Sequence, residues 1–414
     1  MSPFLETLAE SAAPTEQGPQ LRPSPDRICP AHGSAGRILV VARWPVGGIR
    51  THLLYNYSTV AAAGFGVTMV APDDASLGAL RDALVGIEGA EVVGVPVRWR
   101  KCRLWPTERR LLRSGRFNLL HSHGTTAAVH GTLARFGLGI PHVVTLHEPF
   151  RATQFGGFFG RIKRWVLGAM LRRADALITV SDDARGNLLE HLPGVRRAES
   201  KIMTIPNGIN VAGYSTGRER DPSDLRRRLG AGPATTLIGF LGRFMPEKGF
   251  PVLLDAVRDL ADQVSPTRFH LAAFGSGDYR SEYRRLLDEY RLGHLVTLLD
   301  FVPDVRHVLG QLDLVVVPSL WEASSLVSME AMAAGVPVLG SDCPGLREVL
   351  RGTPSRTVPT GDADALRIGL RLALDEPWTD AARDYAATAQ ARFDNSRSAR
   401  RLTALFEVLA HRRR

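Results

Sequence analysis

The sequence predicts two consecutive α/β domains, each a Rossmann-like fold with a doubly wound parallel sheet. The chain has 414 residues, which exceeds the usual size of one domain and suits two. Its short apolar runs are continuous rather than alternating with polar residues, which is typical of strands covered by helices on both faces. Because such sheets bind ligands at the carboxyl ends of their strands, we expect the two domains to face each other across a ligand-binding cleft.

The strand-like runs fall into two groups. The first group has seven members: ILVVA (38–42), VTMVA (67–71), VVGV (92–95), NLLHS (118–122), HVVTL (142–146), ALITV (176–180) and KIMTI (201–205). The second group has five: TLIGFLG (236–242), FHLAAFG (269–275), LVTLL (295–299), LDLVVVP (312–318) and PVLGS (337–341). The stretch between them, 213–235, is polar and rich in charge, and is predicted to link the two domains.

These patterns divide the chain into four segments. Residues 1–36 contain six prolines and little apolar periodicity, which predicts a disordered leader. Residues 37–215 and 216–385 then form the first and second Rossmann-like domains. Residues 386–414 follow a helical pattern, and we expect this last helix to pack near or across the domain junction.

Composition excludes several classes of protein. Cys29, Cys102 and Cys343 are too few for a disulfide scaffold and match no zinc-binding spacing. No apolar run reaches the roughly 18 residues of a membrane span. The N-terminus lacks the pattern of a secretory signal, so a cytoplasmic protein is expected. The first strand leads into no G-x-G-x-x-G, which argues against a nicotinamide-dependent enzyme.

A cationic turn follows the first strand of the second domain, in LGRFMPEKG. Arg243 emerges at the carboxyl end of that strand, and Lys248 stands just before a helix. An arginine fork, a lysine point charge and a helix N-terminus together suit a phosphate group. Only four of the 52 basic residues are lysine, which strengthens the interpretation of Lys248. The alternative is an ordinary solvated turn.

Two glutamates lie in the segment PSLWEASSLVSMEAMAAGVPV. Glu322 follows a strand, where cleft-facing side chains belong, and Ser324 or Ser325 is predicted to cap the next helix. Glu330 lies inside that helix, with apolar neighbours three and four positions away. A carboxylate on an apolar face needs hydrogen bonds, and a ribose diol would supply two. Backbone N–H groups of a neighbouring loop are the alternative.

The first domain offers glycines and histidines at corresponding positions. Gly47 and Gly48 follow the first strand and allow close approach of a diphosphate to the backbone. His121 and His123 end one strand and His147 ends the next. Their spacing is compatible with a metal, but no acidic partner completes a site, so neutral hydrogen-bonding histidines are the favoured interpretation.

Taken together, these segments resemble glycosyltransferase family 4, whose members are retaining nucleotide-sugar enzymes of the GT-B fold. The resemblance covers roughly residues 38–375. It rests on GGIRTH, TLHEP, ADALITVSDDAR, IPNGIN, GRFMPEKG, FGSGD, the E-x7-E pair of Glu322 and Glu330, AMAAGVPV and PGLRE. The sequence departs from the family in two places. Ala-Ser-Ser follows Glu322 where Gly-Phe-Gly is usual, and SDCPG (341–345) replaces the more usual Gly-Gly before Leu346.

The resemblance implies a role for each candidate residue. Arg243 and Lys248 would bind the donor diphosphate, aided by Gly47 and Gly48, while Glu330 would bind the ribose. Glu322 would contact the transferred sugar, and His147 would lie beside the reacting sugar. The resemblance also places Gly275, Ser324, Ser325 and Leu326 on the donor side, and His52, His121 and His123 as candidates on the acceptor side.

The implied activity is that of a retaining hexosyltransferase. It would move a sugar from a nucleotide diphosphate sugar to a hydroxyl of a glycan or lipid-linked acceptor, in bacterial polysaccharide or glycolipid synthesis. The first domain would bind the acceptor and the second the donor, with no metal and no cofactor. Two alternatives stay open: a GT-B epimerase or phosphorylase, and a non-catalytic nucleotide-sugar-binding scaffold.

The charge distribution points to a partner of the first domain. The net charge is +10, and residues 1–220 hold 27 basic and 17 acidic side chains, whereas the remainder is balanced. Segments 98–116 and 161–173 interleave basic residues with tryptophan and leucine, which favours an anionic membrane surface, on the inner face of the plasma membrane. A solvated helix face is the alternative, and nucleic acid is not expected because stacking aromatics are sparse.

Overall fold

The computed structural model describes residues 35–97, 104–214 and 223–411. Nearly all of the predicted leader, 1–36, therefore lies outside the described residues. The chain divides into two compact units. The first unit runs to Asn207 and includes the chain from Asn395 onward, and the second unit runs from Gly208 to Asp394.

The first unit contains a parallel sheet of seven strands in the order β3-β2-β1-β4-β5-β6-β7. The strands are β1 (Gly36–Ala42), β2 (Phe65–Asp73), β3 (Ala90–Pro96), β4 (Leu119–His123), β5 (His142–Leu146), β6 (Ala176–Thr179) and β7 (Ile202–Thr204). Chain order reverses between β1 and β4, whose carboxyl ends form the topological switch point where doubly wound sheets bind ligands.

Helices connect these strands. In chain order they are α1 (Gly48–Ala62), α2 (Ala75–Leu84), α3 (Leu104–Arg113), α4 (Thr125–Ala134), α5 (Gly157–Leu171) and α6 (Asp182–His191), with 3-10 turns at Ala152–Phe155 and Pro193–Lys201. Alternate side chains of β1 enter different core clusters: Ile38 and Val40 pack on one side, Leu39 and Val41 on the other. Burial on both faces explains why the strands are continuously apolar.

The second unit contains six parallel strands in the order β10-β9-β8-β11-β12-β13. They are β8 (Thr236–Leu241), β9 (Phe269–Phe274), β10 (Val296–Leu299), β11 (Leu314–Val317), β12 (Val338–Ser341) and β13 (Arg356–Val358). The helices are α7 (Ser223–Leu229), α8 (Phe250–Ala261), α9 (Arg280–Glu289), α10 (Arg306–Leu309), α11 (Leu326–Ala333), α12 (Leu346–Leu350), α13 (Ala363–Asp375) and α14 (Thr379–Phe393), with a 3-10 turn at Pro246–Lys248. Its switch point lies between β8 and β11. The prediction of two doubly wound parallel sheets is confirmed.

The predicted linker and domain limits need correction. Residues 223–229 of the predicted linker form α7, which packs into the second unit through buried Leu225 and an ion pair from Arg226 to Asp313 at 2.6 Å. The division between units falls at Asn207, before the predicted limit of 215, because the chain already joins the second unit at Ile209, which bridges to Asp394.

The predicted C-terminal segment, 386–414, is also divided. Its first part completes α14 in the second unit, whereas α15 (Asn395–His411) belongs to the first unit and packs against α1. Phe406 of α15 stacks on Tyr57 of α1 with ring centroids 6.5 Å apart. The apolar side of α15 therefore completes the core next to β1.

No helix in the described parts of the chain combines the length and apolarity needed to cross a membrane.

Candidate active site

Two loops meet at the switch point of the second unit. One follows β8 and carries Arg243 and Lys248, and the other follows β11 and carries Glu322. The backbone N–H of Leu320 donates to the carbonyl of Glu247 at 2.9 Å, which joins the loops. The sheet topology thus brings together residues that lie 74 positions apart in the sequence.

Gly249 allows this close approach. Its φ of 67° lies in the left-handed region, and a Cβ atom there would stand 1.9 Å from the carbonyl oxygen of Pro318. Any side chain would push the two loops apart and strain the backbone. Gly249 also precedes α8 directly, so it sets the direction in which that helix leaves the loop.

Lys248 and Glu322 form an ion pair in this site. The Lys248 ammonium donates to Glu322 Oε1 at 2.5 Å, and the Ser319 hydroxyl donates to the same oxygen at 2.9 Å. Both charged side chains are largely withdrawn from solvent, with 23% of Lys248 and 12% of Glu322 exposed. Arg243 is 42% exposed and approaches Glu247 at 3.5 Å. Lys248 and Glu322, predicted separately, are therefore direct partners, while Arg243 is more open to an incoming anion.

Glu330 lies on α11 with a half-buried side chain. Burial raises the pKa of its carboxyl to about 8, the nearby Asp304 raises it further, and Arg306 partly offsets both effects. Arg306 is itself held by Asp304 through two contacts of 2.6 and 2.8 Å. The carboxyl group of Glu330 makes no hydrogen bond or ion pair with any residue that the structure describes, so the alternative of backbone N–H partners is wrong for this structure.

The start of α11 lacks the predicted serine cap. Ser325 is at the N-cap position, but its hydroxyl bonds to that of Ser328 at 2.9 Å instead of to a backbone N–H. Ser324 and Leu326 flank this uncapped end, whose N–H groups favour anions. Glycine is needed at position 275 for packing, because a Cβ there would lie 2.0 Å from the carbonyl oxygen of Gly242.

A chain of hydrogen bonds links the predicted histidines of the first unit. The Tyr57 hydroxyl contacts His121 Nδ1 at 2.5 Å and His123 Nε2 at 3.1 Å. His121 Nε2 reaches the Thr145 hydroxyl at 2.8 Å. His123 Nδ1 and His147 Nε2 share a hydrogen bond of 2.8 Å. The ends of β4 and β5 therefore present one connected polar network in an apolar core.

His52 joins the network from α1. Its Nδ1 lies 2.9 Å from Asn207 Oδ1 and 3.2 Å from Asn56 Nδ2, while its Nε2 has no hydrogen-bond partner among the described residues. His52, His123 and His147 could offer ligand atoms within 4.8 Å of one another, the spacing of a metal cluster. The hydrogen bonds described above already occupy one nitrogen of His52, one of His147 and both of His123, so neutral histidines account for the cluster.

Burial lowers the pKa of every ring in this region. The values fall to about 4 for His52 and about 3 for His142, and well below 6.5 for His121, His123 and His147. Unfolded chains protonate these rings near pH 6.5, whereas the folded protein keeps them neutral until far lower pH. The folded state therefore binds fewer protons, and stability that is complete above pH 6.5 is lost as the pH falls.

We accordingly expect the free energy of unfolding to be lower at pH 5.5 than at pH 7.5. Each ring contributes about 1.4 kcal/mol per pH unit within its window. Glu108 and Glu330, both with pKa raised to about 8, have the opposite effect, because they bind more protons in the folded state. The five histidine rings together outweigh these two carboxyls. Urea unfolding at both pH values measures the effect. His142→Asn, which keeps a polar partner for Ser122, should reduce the slope, and equal stability at the two pH values would contradict the expectation.

A pocket opens beside the histidines. It has a volume of about 120 Å³ and is lined by Trp44, His123, His147, Glu148 and Gln154, among others. The guanidinium of Arg43, also in its wall, lies 3.9 Å from the centroid of the exposed Trp44 ring. Gly47 has a φ of 55° and precedes α1 directly, with Gly48 as the first helical residue. The first unit therefore offers a cavity whose wall combines aromatic, cationic, acidic and neutral polar side chains.

Several site residues were not predicted from the sequence. Asn56 and Tyr57 lie on the same helix as His52, four and five positions onward, and Asn207 belongs to the quoted motif IPNGIN. Ser319 lies two residues beyond the carboxyl end of β11. Helical spacing was an available signal for Asn56, but only the fold brings Asn207 to His52.

Known proteins share both halves of this arrangement. The profile of Glycosyltransferase Family 4 matches residues 46–212, and that of Glycosyl transferases group 1 matches residues 223–392. The phosphatidyl-myo-inositol mannosyltransferase of Mycobacterium leprae is 30% identical over 384 residues, 88% of this chain and 94% of that protein. The D-inositol 3-phosphate glycosyltransferase of Corynebacterium jeikeium is 30% identical over 310 residues, which cover 71% of this chain and 73% of that protein.

The fold has solved counterparts. The structure of Anabaena Alr3699/HepE in complex with UDP-glucose has a TM-score of 0.75 at 22% identity, covering 89% of this chain and 99% of that one. WaaG, a glycosyltransferase involved in lipopolysaccharide biosynthesis, has a TM-score of 0.67 at 18% identity, with 87% and 98% covered. The chain therefore belongs to glycosyltransferase family 4 and has the GT-B fold, with two doubly wound α/β domains.

Proposed function

We propose that this protein is a retaining hexosyltransferase that moves a sugar from a nucleotide diphosphate sugar to a hydroxyl of a glycan or lipid-linked acceptor. The observation that supports this proposal most directly is the Lys248–Glu322 ion pair, which lies on the same loops as Arg243 and the uncapped start of α11. Relatives named for inositol-containing acceptors and a structural counterpart bound to UDP-glucose support this choice of substrates. We place this reaction in bacterial polysaccharide or glycolipid synthesis, which uses substrates of these kinds.

The donor diphosphate would bind between Arg243 and Lys248. In the free protein the Lys248 ammonium is neutralised by Glu322, so an arriving diphosphate competes with that carboxylate for the same cation. Transfer of Lys248 to the diphosphate would leave Glu322 with only the Ser319 hydroxyl. Glu322 would then accept hydrogen bonds from hydroxyls of the transferred sugar. One ion pair thus couples diphosphate binding to sugar recognition.

Glu330 would hold the ribose. Its carboxyl has no protein partner among the described residues and lies on a helix with apolar neighbours, where a ligand diol supplies two O–H donors. Ser324, Ser325, Leu326 and Gly275 would line the same side of the donor. On the first unit, His147 would contact the reacting sugar. His52, His121 and His123 would keep the His147 ring in position at the pocket wall.

Retention of configuration would follow from same-face chemistry. A retaining hydrolase uses two carboxyl groups about 5 Å apart, one of them as a nucleophile. In the donor complex Glu322 is assigned to the Ser319 hydroxyl and to hydroxyls of the transferred sugar, and Glu330 is assigned to the ribose, so neither carboxyl serves as the nucleophile. The departing diphosphate oxygen would instead take the acceptor proton, while Arg243 and Lys248 stabilise the developing negative charge. This mechanism needs neither metal nor cofactor.

A thermal-shift screen against UDP, GDP, ADP and dTDP tests the proposal. One nucleotide should raise the melting temperature above the others, and its sugar conjugates should be turned over equally with and without EDTA. Nuclear magnetic resonance of the product should show the anomeric configuration of the donor. No shift with any nucleotide, an inverted product, or loss of turnover in EDTA that a divalent cation restores would each contradict part of it.

We place this activity at the cytoplasmic face of the plasma membrane, with the basic segments 98–116 and 161–173 facing anionic lipid. Residues 98–103 lie outside the described part of the chain. The rest of the first segment includes α3, where Trp105 is exposed and Arg110 and Arg113 occupy the last turn. The second segment lies largely in α5, and nucleic acid is not part of the proposal.

A further inference from the structure

Helix α5 exposes an unusual row of large apolar side chains. Phe158, Phe159, Ile162, Trp165 and Val166 are 64%, 84%, 44%, 72% and 38% exposed. We call these five residues the aromatic ridge. Exposing so much apolar surface in one place is unfavourable in water, and contiguous patches of this kind mark interaction sites.

The ridge forms one continuous face. At 3.6 residues per turn its five members span an arc of about 120°. Leu167 and Leu171, which anchor α5 in the core of the first unit, lie on the opposite side. Arg161 and Lys163 border the arc on either side, so an apolar strip is flanked by cations along both edges.

Within the segment 149–174, which contains α5, all six charged side chains are basic. Neither Arg161 nor Lys163 forms an ion pair with any residue in the described portion of the chain, although the Lys163 ammonium lies 5.8 Å from the Phe155 ring. A partner that fits this surface has an apolar region for the ridge to enter and negative charge where it meets Arg161 and Lys163. An anionic lipid bilayer has that profile.

We propose that the aromatic ridge inserts into the interfacial region of an anionic membrane, with α5 lying in the plane of that interface. Trp165 and the two phenylalanines enter the boundary between headgroups and acyl chains, while Arg161 and Lys163 contact lipid phosphates. The docking surface is thereby assigned to α5 itself, extending N-terminally beyond the basic residues to Phe158 and Phe159.

This attachment also bears on the acceptor, a step that rests on the proposed function. The loop between β5 and α5 supplies His147, Glu148 and Gln154 to the wall of the pocket. Phe155, at the end of that loop, is buried against Phe150 with ring centroids 5.9 Å apart. The pocket wall and the ridge therefore belong to one packed segment. A hydroxyl carried on a lipid headgroup is the acceptor class that this arrangement fits.

Cosedimentation with vesicles tests the ridge without any substrate. The full chain should bind phosphatidylcholine vesicles containing phosphatidylglycerol at low salt and bind pure phosphatidylcholine weakly. The triple variant F158S/F159S/W165S should lose about tenfold or more in partition coefficient. Brominated lipids should quench the fluorescence of Trp165, measured as the difference between wild type and W165F.

Matched variants make the result specific. F136S removes an equally exposed phenylalanine from the same unit and should bind as wild type does, whereas R161E/K163E should bind less and lose its salt dependence. Equal binding by the triple variant, no quenching, or the same loss in F136S would overturn the proposal. A lipid-free dimer that the triple substitution dissociates would assign the ridge to a second copy instead. The nucleotide-induced thermal shift should persist in the triple variant, which separates failure of the ridge from failure of the donor site.

Discussion

Replacing Lys248 with methionine is expected to lower donor turnover about 10²–10³-fold, because the departing diphosphate loses a charge-assisted contact. Methionine keeps most of the side-chain volume and removes only the ammonium. The measurement is release of nucleoside diphosphate as kcat/KM, using the donor identified by the thermal-shift screen. Lys248→Arg keeps a cation in place and should retain more activity than the methionine variant.

The controls separate lost chemistry from lost folding. Lys248→Met leaves the Glu322 carboxylate, only 12% exposed, with the Ser319 hydroxyl as its remaining partner, which is itself destabilising. The double variant K248M/E322Q removes the stranded charge and should regain stability but not turnover. Arg258→Met deletes a cation of α8 that pairs with Asp255 and Asp259, and should leave turnover unchanged. Near-normal turnover in the double variant would refute the role given to Lys248.

The sequence predicted the strands well because a single physical signal determines them. Twelve apolar runs correspond to twelve strands, since strands buried on both faces must be apolar along their whole length. The thirteenth, β13, was missed because its three residues, Arg-Thr-Val, are partly exposed at the edge of the sheet. Helix α7 was assigned to a linker because three consecutive arginines in its seven residues obscure the periodicity that Leu225 provides.

Unit limits and side-chain partners depend on tertiary contacts. The apolar face of α15 shows that the helix must be buried but not in which unit, and the answer comes from its packing on α1 through Phe406. Likewise, Lys248 and Glu322 each follow a strand, which predicts that both lie at the same edge of the sheet. Their direct contact depends on the close approach of Gly249 to Pro318, which spacing along the chain does not encode.

The histidines show the same division. His121, His123 and His147 were recognised by their positions at strand ends, because carboxyl ends of parallel strands share one edge. The Tyr57 hydroxyl that joins two of them comes from α1, and Asn207, the partner of His52, comes from 155 residues away. Residues that only complete a hydrogen-bond network have no local signature.

Replacing Glu330 with glutamine is expected to have opposite effects on stability and on donor binding. Burial holds the pKa of this carboxyl near 8 in the folded protein, against 4.5 for the unfolded group. Between these values the folded state binds more protons, so the contribution of Glu330 to stability falls as pH rises through the window. The variant, which cannot ionise, should gain about 1–3 kcal/mol over wild type at pH 8 and little at pH 4.5.

Donor binding should respond in the other direction. A ribose diol donates best to an ionised carboxylate, so binding of a nucleotide sugar at pH 7 should displace about one proton from Glu330. Calorimetry in buffers of different ionisation enthalpy measures that release, which Glu330→Gln should abolish while weakening affinity about 10–100-fold. Glu289→Gln, on exposed α9 surface of the same unit, should change neither quantity. A variant that becomes more stable and yet binds the donor as tightly as wild type, with unchanged proton release, would show that Glu330 is buried for packing and does not hold the ribose.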